Sequence, residues 1–149
     1  LLGEDGYVTY IGGNIVGNQL VAQWNGAGKI VMLELNKTFT DVPAKHWAAG
    51  VIQELFAKHV IQGIDDARFS PETMVTRAEF TALLVRVLKL PAAEIGTITF
   101  TDVQAADWYS EVITAAAIAG LVNGVDEDRF APDALITREQ MATFTRSCI

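Results

Sequence analysis

The chain has 149 residues, a net charge of −7 and one cysteine, with 50 % apolar and 19 % charged residues. That apolar content supports one ordinary domain or two very small ones and excludes a disordered chain. The acidic balance excludes a general nucleic-acid binder, so any anionic ligand must meet a local cationic spot rather than a basic face.

Residues 1–36 carry Val, Ile, Tyr and Trp between Gly and Asn turns. Strands are expected here, with "WNGAGKIV" at Trp24–Val31 as a hairpin. They read either as the end of an upstream β domain or as strands packed on the helices that follow. The opening "LLGEDGYVTY" shows neither a leader nor an initiator methionine, and a piece of a longer protein is expected.

From Phe39 the chain repeats itself. A shift of 61 residues lays 39–86 over 100–147 without a gap, and fifteen positions are then identical. "FTDVPAKHW" lies over "FTDVQAADW", and "GIDDARFSPETMVTRAEF" over "GVDEDRFAPDALITREQM". This is a duplicated unit. Each copy reads as helix, loop, helix. Trp47, Val51, Ile52, Leu55 and Phe56 form one stripe of an amphipathic helix, and Trp108, Val112, Ile113, Ala116 and Ala117 its smaller counterpart. A neighbour should pack closer on the second. His59 stands near the end of the first helix where Gly120 stands in the second copy; glycine suits a left-handed C-cap and histidine tolerates it less well. The loops run from Gly63 to Pro71 and from Gly124 to Pro132, with Phe69 and Phe130 expected to plug them onto the core.

The next helix shows Phe80, Leu83, Leu84, Val87 and Leu88 at helical spacing, and Pro91 ends it. The resulting division is a β-rich segment at 1–36, a first repeat at 39–90, a linker at 91–99 and a second repeat at 100–149. "VITAAAIAGLV" at 112–122 is too short to span a bilayer. Cys148 reads as an incidental thiol at a frayed end.

Two arginines raise a question. Thr76-Arg77-Ala78-Glu79 and Thr137-Arg138-Glu139-Gln140 match the capping box, which accounts for the threonines, Glu79 and Gln140. It does not account for Arg77 and Arg138, since a cation in the first turn opposes the helix dipole by about 0.3–1 kcal/mol. Two readings stay open. A guanidinium beside free helix N–H groups makes a carboxylate receptor. Alternatively, each arginine forms an internal ion pair with Asp41 or Asp102.

Taken together, F-x-D-V, the Trp at the helix start, G-x-x-x-x-x-F-x-P and T-R-A-E, twice and in order, resemble the S-layer homology module over residues 39–149. The resemblance implies a mainly α fold, with tandem helix-loop-helix repeats forming part of a pseudo-threefold helical bundle behind the N-terminal β-rich segment. It implies a bacterial cell-surface or cell-wall location and non-covalent anchoring through a wall-linked, pyruvylated polysaccharide. On this chain Arg77 and Arg138 would meet the pyruvyl carboxylate. Asp41 and Asp102 would hold the arginine or a sugar hydroxyl, and Trp47 and Trp108 would offer a ring face. The commoner role for such aromatics is core packing beneath the helix start.

Two departures from the family pattern matter. Glu139 replaces Ala78 beside the second arginine, and only two modules are present where about three make a continuous core. The alternative function is therefore a structural self-association module that completes its bundle as a homo-oligomer, without reading glycan. An enzyme is not expected: no nucleophile motif stands out, and His46 and His59 lack counterparts in the second copy. No cofactor is expected. The acidic loops lack the alternating ligand pattern and terminal Glu of a calcium loop, so they read as solvated turns rather than a metal site.

Overall fold

The computed structural model describes residues 11–22, 29–31, 35–91, 93 and 100–146. Among these it is mainly helical, with α1 at Ala49–Ala57, α2 at Arg77–Leu88, α3 at Ser110–Ile118 and α4 at Arg138–Arg146. Two short strands, β1 at Asn14–Val16 and β2 at Gln19–Val21, pair antiparallel with Ile15 opposite Leu20. A two-residue turn joins them, and Gly17 takes its left-handed position at φ 63°. Strand structure is thus present in the N-terminal segment. The hairpin expected at Trp24–Val31 lies largely outside the described residues, as do most of the 91–99 linker and Cys148.

Packing divides the chain into two compact units, Leu1–Pro71 and Glu72–Ile149. In the first, Phe39, Val42 and Ile52 form a small core, with Phe56, Ile61 and Phe69 packed against it. Phe39 meets Phe56 edge-on at 5.6 Å and Phe69 at 5.5 Å. In the second, Ala78, Ile113, Ala116, Leu121, Val122, Phe130 and Phe144 form a larger core. Here α2 packs against α3. The helix that follows the first loop in sequence is therefore built into the core of the second copy. The small side chains of α3 permit this close approach.

Local chemistry explains the boundaries. Thr76 caps α2 with the full box: its hydroxyl accepts from Glu79 N–H at 3.2 Å, and its N–H donates to the Glu79 carboxylate at 2.8 Å. Thr137 and Gln140 repeat the arrangement at α4. Helices α1 and α3 close alike: His59 N–H donates to the Phe56 carbonyl and Val60 N–H to Leu55, as Gly120 does to Ala117 and Leu121 to Ala116. That closure requires a left-handed residue, and His59 adopts φ 56° where Gly120 has φ 69°.

The loops are held by aspartates. Asp41 accepts from Phe69 and Ser70 N–H at 2.9 and 2.7 Å, and Asp102 accepts from Phe130 and Ala131 N–H at 2.9 and 2.7 Å. These bonds sustain left-handed backbone at Ser70 and Ala131. Asp65 and Asp126 each accept loop N–H groups and pair with Arg68 and Arg129. Backbone crosses so closely at Gly63 that a Cβ there would lie 2.5 Å from the Arg68 carbonyl oxygen. At Gly124 the corresponding distance is 2.4 Å, to the Asp126 carbonyl oxygen. Phe130 is fully buried, contributing about 1.5–3 kcal/mol of apolar transfer.

Candidate functional site

The two arginines have equivalent sequence positions and unequal surroundings. Arg77 opens α2 and is only 2 % exposed. Its Nε donates to the Phe130 carbonyl at 2.8 Å and its Nη2 to the Asn123 carbonyl at 2.9 Å. The guanidinium carbon stands 4.7 Å from the Phe130 ring centroid and 5.1 Å from that of Phe144. Burial pulls its pKa below the ordinary arginine value, and the charge of Asp102 opposes that shift. This is an internal role, but Arg77 bonds main-chain carbonyls and makes no direct ion pair among the described residues. The sequence reading offered this guanidinium to a carboxylate ligand; in the structure its Nε and Nη2 are bonded inward.

The N-terminus of α2 is filled as well. Arg77 N–H donates to the Ala134 carbonyl at 2.9 Å and Ala78 N–H to the Pro132 carbonyl at 3.0 Å. Thr76 and Leu135 form an antiparallel bridge beside them, and Ile136 N–H donates to the Val75 carbonyl. The free N–H groups that would draw an anion are already bonded to loop carbonyls.

Arg138 is the opposite case. It opens α4, its side chain is exposed, and it has no hydrogen bond or ion pair among the described residues. Within the capping turn, Gln140 N–H is bonded to the Thr137 hydroxyl, while the N–H groups of Arg138 and Glu139 have no partner among the described residues. Asp41 and Asp102 hold neither arginine. Both oxygens of each carboxylate accept loop N–H groups, so each aspartate shapes its own loop. The N–H groups of Phe69 and Ser70 hold the Asp41 carboxyl below its ordinary range, with a smaller contribution from Arg68.

The tryptophans also depart from the expected packing role. The helices begin two residues after them, at Ala49 and Ser110, so each indole projects from a turn. Trp47 is 89 % exposed and Trp108 61 % exposed. His46 stacks on Trp47 at 5.8 Å, and Tyr109 meets Trp108 edge-on at 5.3 Å. Two surface ring faces at equivalent positions suit the apolar face of a sugar. Among the described residues, no group of carboxylates, histidines and cysteines forms a metal cage.

The acceptors of Arg77 were invisible to residue-type reasoning, because they are main-chain oxygens lying 46 and 53 residues further along. The available signal was the duplicated G-x-x-x-x-x-F-x-P loop, which marks a constant backbone shape rather than a reactive side chain.

The family model for the S-layer homology domain matches residues 38–81 and 99–142. The chain belongs to the S-layer homology family. It is similar to an amylopullulanase of Thermoanaerobacterium thermosulfurigenes, with 36 % identity over 89 % of this chain and 7 % of that protein. It is similar to exoglucanase XynX of Acetivibrio thermocellus, with 38 % identity over 75 % of this chain and 10 % of that one. It also matches S-layer protein sap of Bacillus anthracis, with 36 % identity over 72 % of this chain and 13 % of that protein. The chain spans about a tenth of the length of these relatives. S-layer homology modules anchor proteins at the cell surface and bind cell-wall polymers; they are not catalytic. No helix among the described residues is long and apolar enough to cross a membrane.

Proposed function

We propose that these S-layer homology modules hold a bacterial surface protein on the wall by binding an anionic secondary polysaccharide, with a pyruvate ketal on an aminosugar as the recognised group. The observation that carries the reading is Arg138, an exposed guanidinium at a helix N-terminus beside two N–H groups with no partner among the described residues. A planar carboxylate matches that fork, and the helix dipole adds to the attraction. The exposed rings of Trp47 and Trp108 supply sugar-stacking faces. The relatives named as enzymes and the one named as an S-layer protein share this region, as expected if it contributes attachment rather than chemistry.

Co-sedimentation with purified sacculi, with and without acid extraction of the secondary polymer, tests the reading. The wild-type chain should pellet only with unextracted sacculi. Arg138→Ala should lose most of that binding while keeping its helical circular dichroism, and Trp47→Ala/Trp108→Ala should weaken it further. A folded Arg138→Ala chain that pellets as completely as wild type would remove the arginine from the site.

A further inference from the structure

Arg77 binds the peptide unit that joins Asn123 to Gly124: its Nη2 donates to the Asn123 carbonyl at 2.9 Å. The Asn123 side chain is exposed and makes no hydrogen bond among the described residues. Nor does the Gly124 N–H. Both residues line an open surface cleft with Phe100, Val122, Asp126 and Glu127, so water reaches this peptide.

Asparagine is a thermolabile residue. It is most so before glycine, which has no Cβ to screen its nitrogen from the side-chain amide. Ring closure begins when the glycine nitrogen gives its proton to hydroxide. The resulting charge spreads onto the carbonyl oxygen of the same peptide unit. In this loop a guanidinium already sits on that oxygen, and a preorganised cation there stabilises the anion. The neighbouring Asp126 carboxylate, which would oppose it, is paired with Arg129.

We propose that Asn123–Gly124 is a self-modification site at which Arg77 directs the asparagine to isoaspartate. The Gly124 nitrogen attacks the Asn123 Cγ; the N–Cγ bond forms and the Cγ–Nδ2 bond breaks, releasing ammonia, which takes its proton from water. The cyclic imide offers two carbonyl carbons to water. The former main-chain carbonyl of Asn123 carries Nη2 on its oxygen and is the more electrophilic. Water adds there, the bond from that carbon to nitrogen breaks, and the nitrogen regains a proton. The chain then runs through Cβ and Cγ to Gly124, and the old carbonyl carbon becomes a carboxylate. That carboxylate faces the Arg77 guanidinium, so a bond to a neutral acceptor becomes a charge-assisted pair. The lengthened main chain has little room at Gly124, where a Cβ would lie 2.4 Å from the Asp126 carbonyl oxygen. The bond from Val125 N–H to the Arg129 carbonyl should therefore loosen. In the first copy Gln62–Gly63 takes the corresponding place, and the longer glutamine side chain closes a larger ring more slowly.

The test incubates the intact chain in mildly alkaline buffer, folded or in urea, and follows its tryptic peptides by mass spectrometry. An isoaspartate-specific methyltransferase separates isoaspartate from aspartate. Asn123 is the single asparagine of the peptide 90–129, and Asn25, which also precedes glycine, falls in the separate peptide 1–29. Folded wild type should lose the Asn123 amide about tenfold faster than the unfolded chain, because only folding brings Arg77 to this peptide. Isoaspartate should also be a larger share of its product. Arg77→Lys lacks the fork that reaches both carbonyls, and should fall back toward the unfolded rate and product ratio. Where that variant does not fold, the wild-type comparison decides alone. Amide exchange at Val125 should quicken as wild type ages and stay constant in Asn123→Gln. A folded wild-type chain that converts Asn123 no faster than the unfolded one overturns the proposal. So does a folded Arg77→Lys chain that matches wild type in rate and product ratio.

Discussion

Arg77 and Arg138 occupy the same position of one duplicated sequence and have opposite environments. Arg77 is held by two carbonyls and lies against two aromatic rings. Arg138 projects into solvent. The difference lies in what each helix meets, since both helices begin with the same capping box. Helix α2 meets the loop of the second copy, and its arginine becomes part of a core. Helix α4 meets no equivalent loop among the described residues, and its arginine stays exposed. A motif residue in a tandem repeat can therefore be buried in one copy and exposed in the next.

The sharpest way to break this comparison is to remove each arginine in turn. Arg77→Ala strands the buried Phe130 carbonyl and the part-buried Asn123 carbonyl and leaves a void, and should destabilise the chain by about 2–4 kcal/mol. Arg138→Ala should change stability by no more than about 0.5 kcal/mol. Urea unfolding of the two variants checks this, and equal effects would contradict the asymmetry. Next in size, Gly63→Ala and Gly124→Ala should each cost about 1–3 kcal/mol, because the added Cβ collides with backbone that cannot move away cheaply. Similar losses at both sites would show that the loops are equivalent even though the arginines are not.

Acid provides a smaller test. Loop N–H groups hold Asp41 and Asp65 below the ordinary value of 3.8, with Arg68 assisting. Arg129 does the same for Asp126, assisted by its own N–H. A depressed carboxylate stabilises the fold above its unfolded pKa, and that contribution disappears as pH falls through the lower folded value. Both loops should therefore keep their protection down to about pH 4 and lose it progressively below. Amide exchange at Arg68, Phe69 and Arg129 would show it, and protection unchanged to about pH 2 would count against it. The smallest effect concerns the left-handed caps. His59→Gly should stabilise by about 0.5–1 kcal/mol, and Gly120→His should destabilise by a similar amount, both read from thermal unfolding.

Much of the fold was legible in the residues. The duplication, both capping boxes, the left-handed positions at His59 and Gly120, and Phe69 and Phe130 as loop plugs follow from local patterns whose physics acts over a few residues. The exposure of the tryptophans was not legible because Trp47 shares a helical spacing with Val51 and Ile52, while its turn points the indole outward before α1 begins. The loop-shaping role of the aspartates was not legible because their partners are backbone N–H groups 28 and 29 residues away, which carry no side-chain signature.

The order of residues by itself determined which segments are helices, where they are capped, how the loops turn and to which family the chain belongs, because each depends on neighbours in sequence. Tertiary structure alone decided that α2 joins the core of the second copy and that Arg77 is enclosed while Arg138 is open. Burial depends on which distant main-chain oxygens a side chain meets, and identical short sequences carry no record of that.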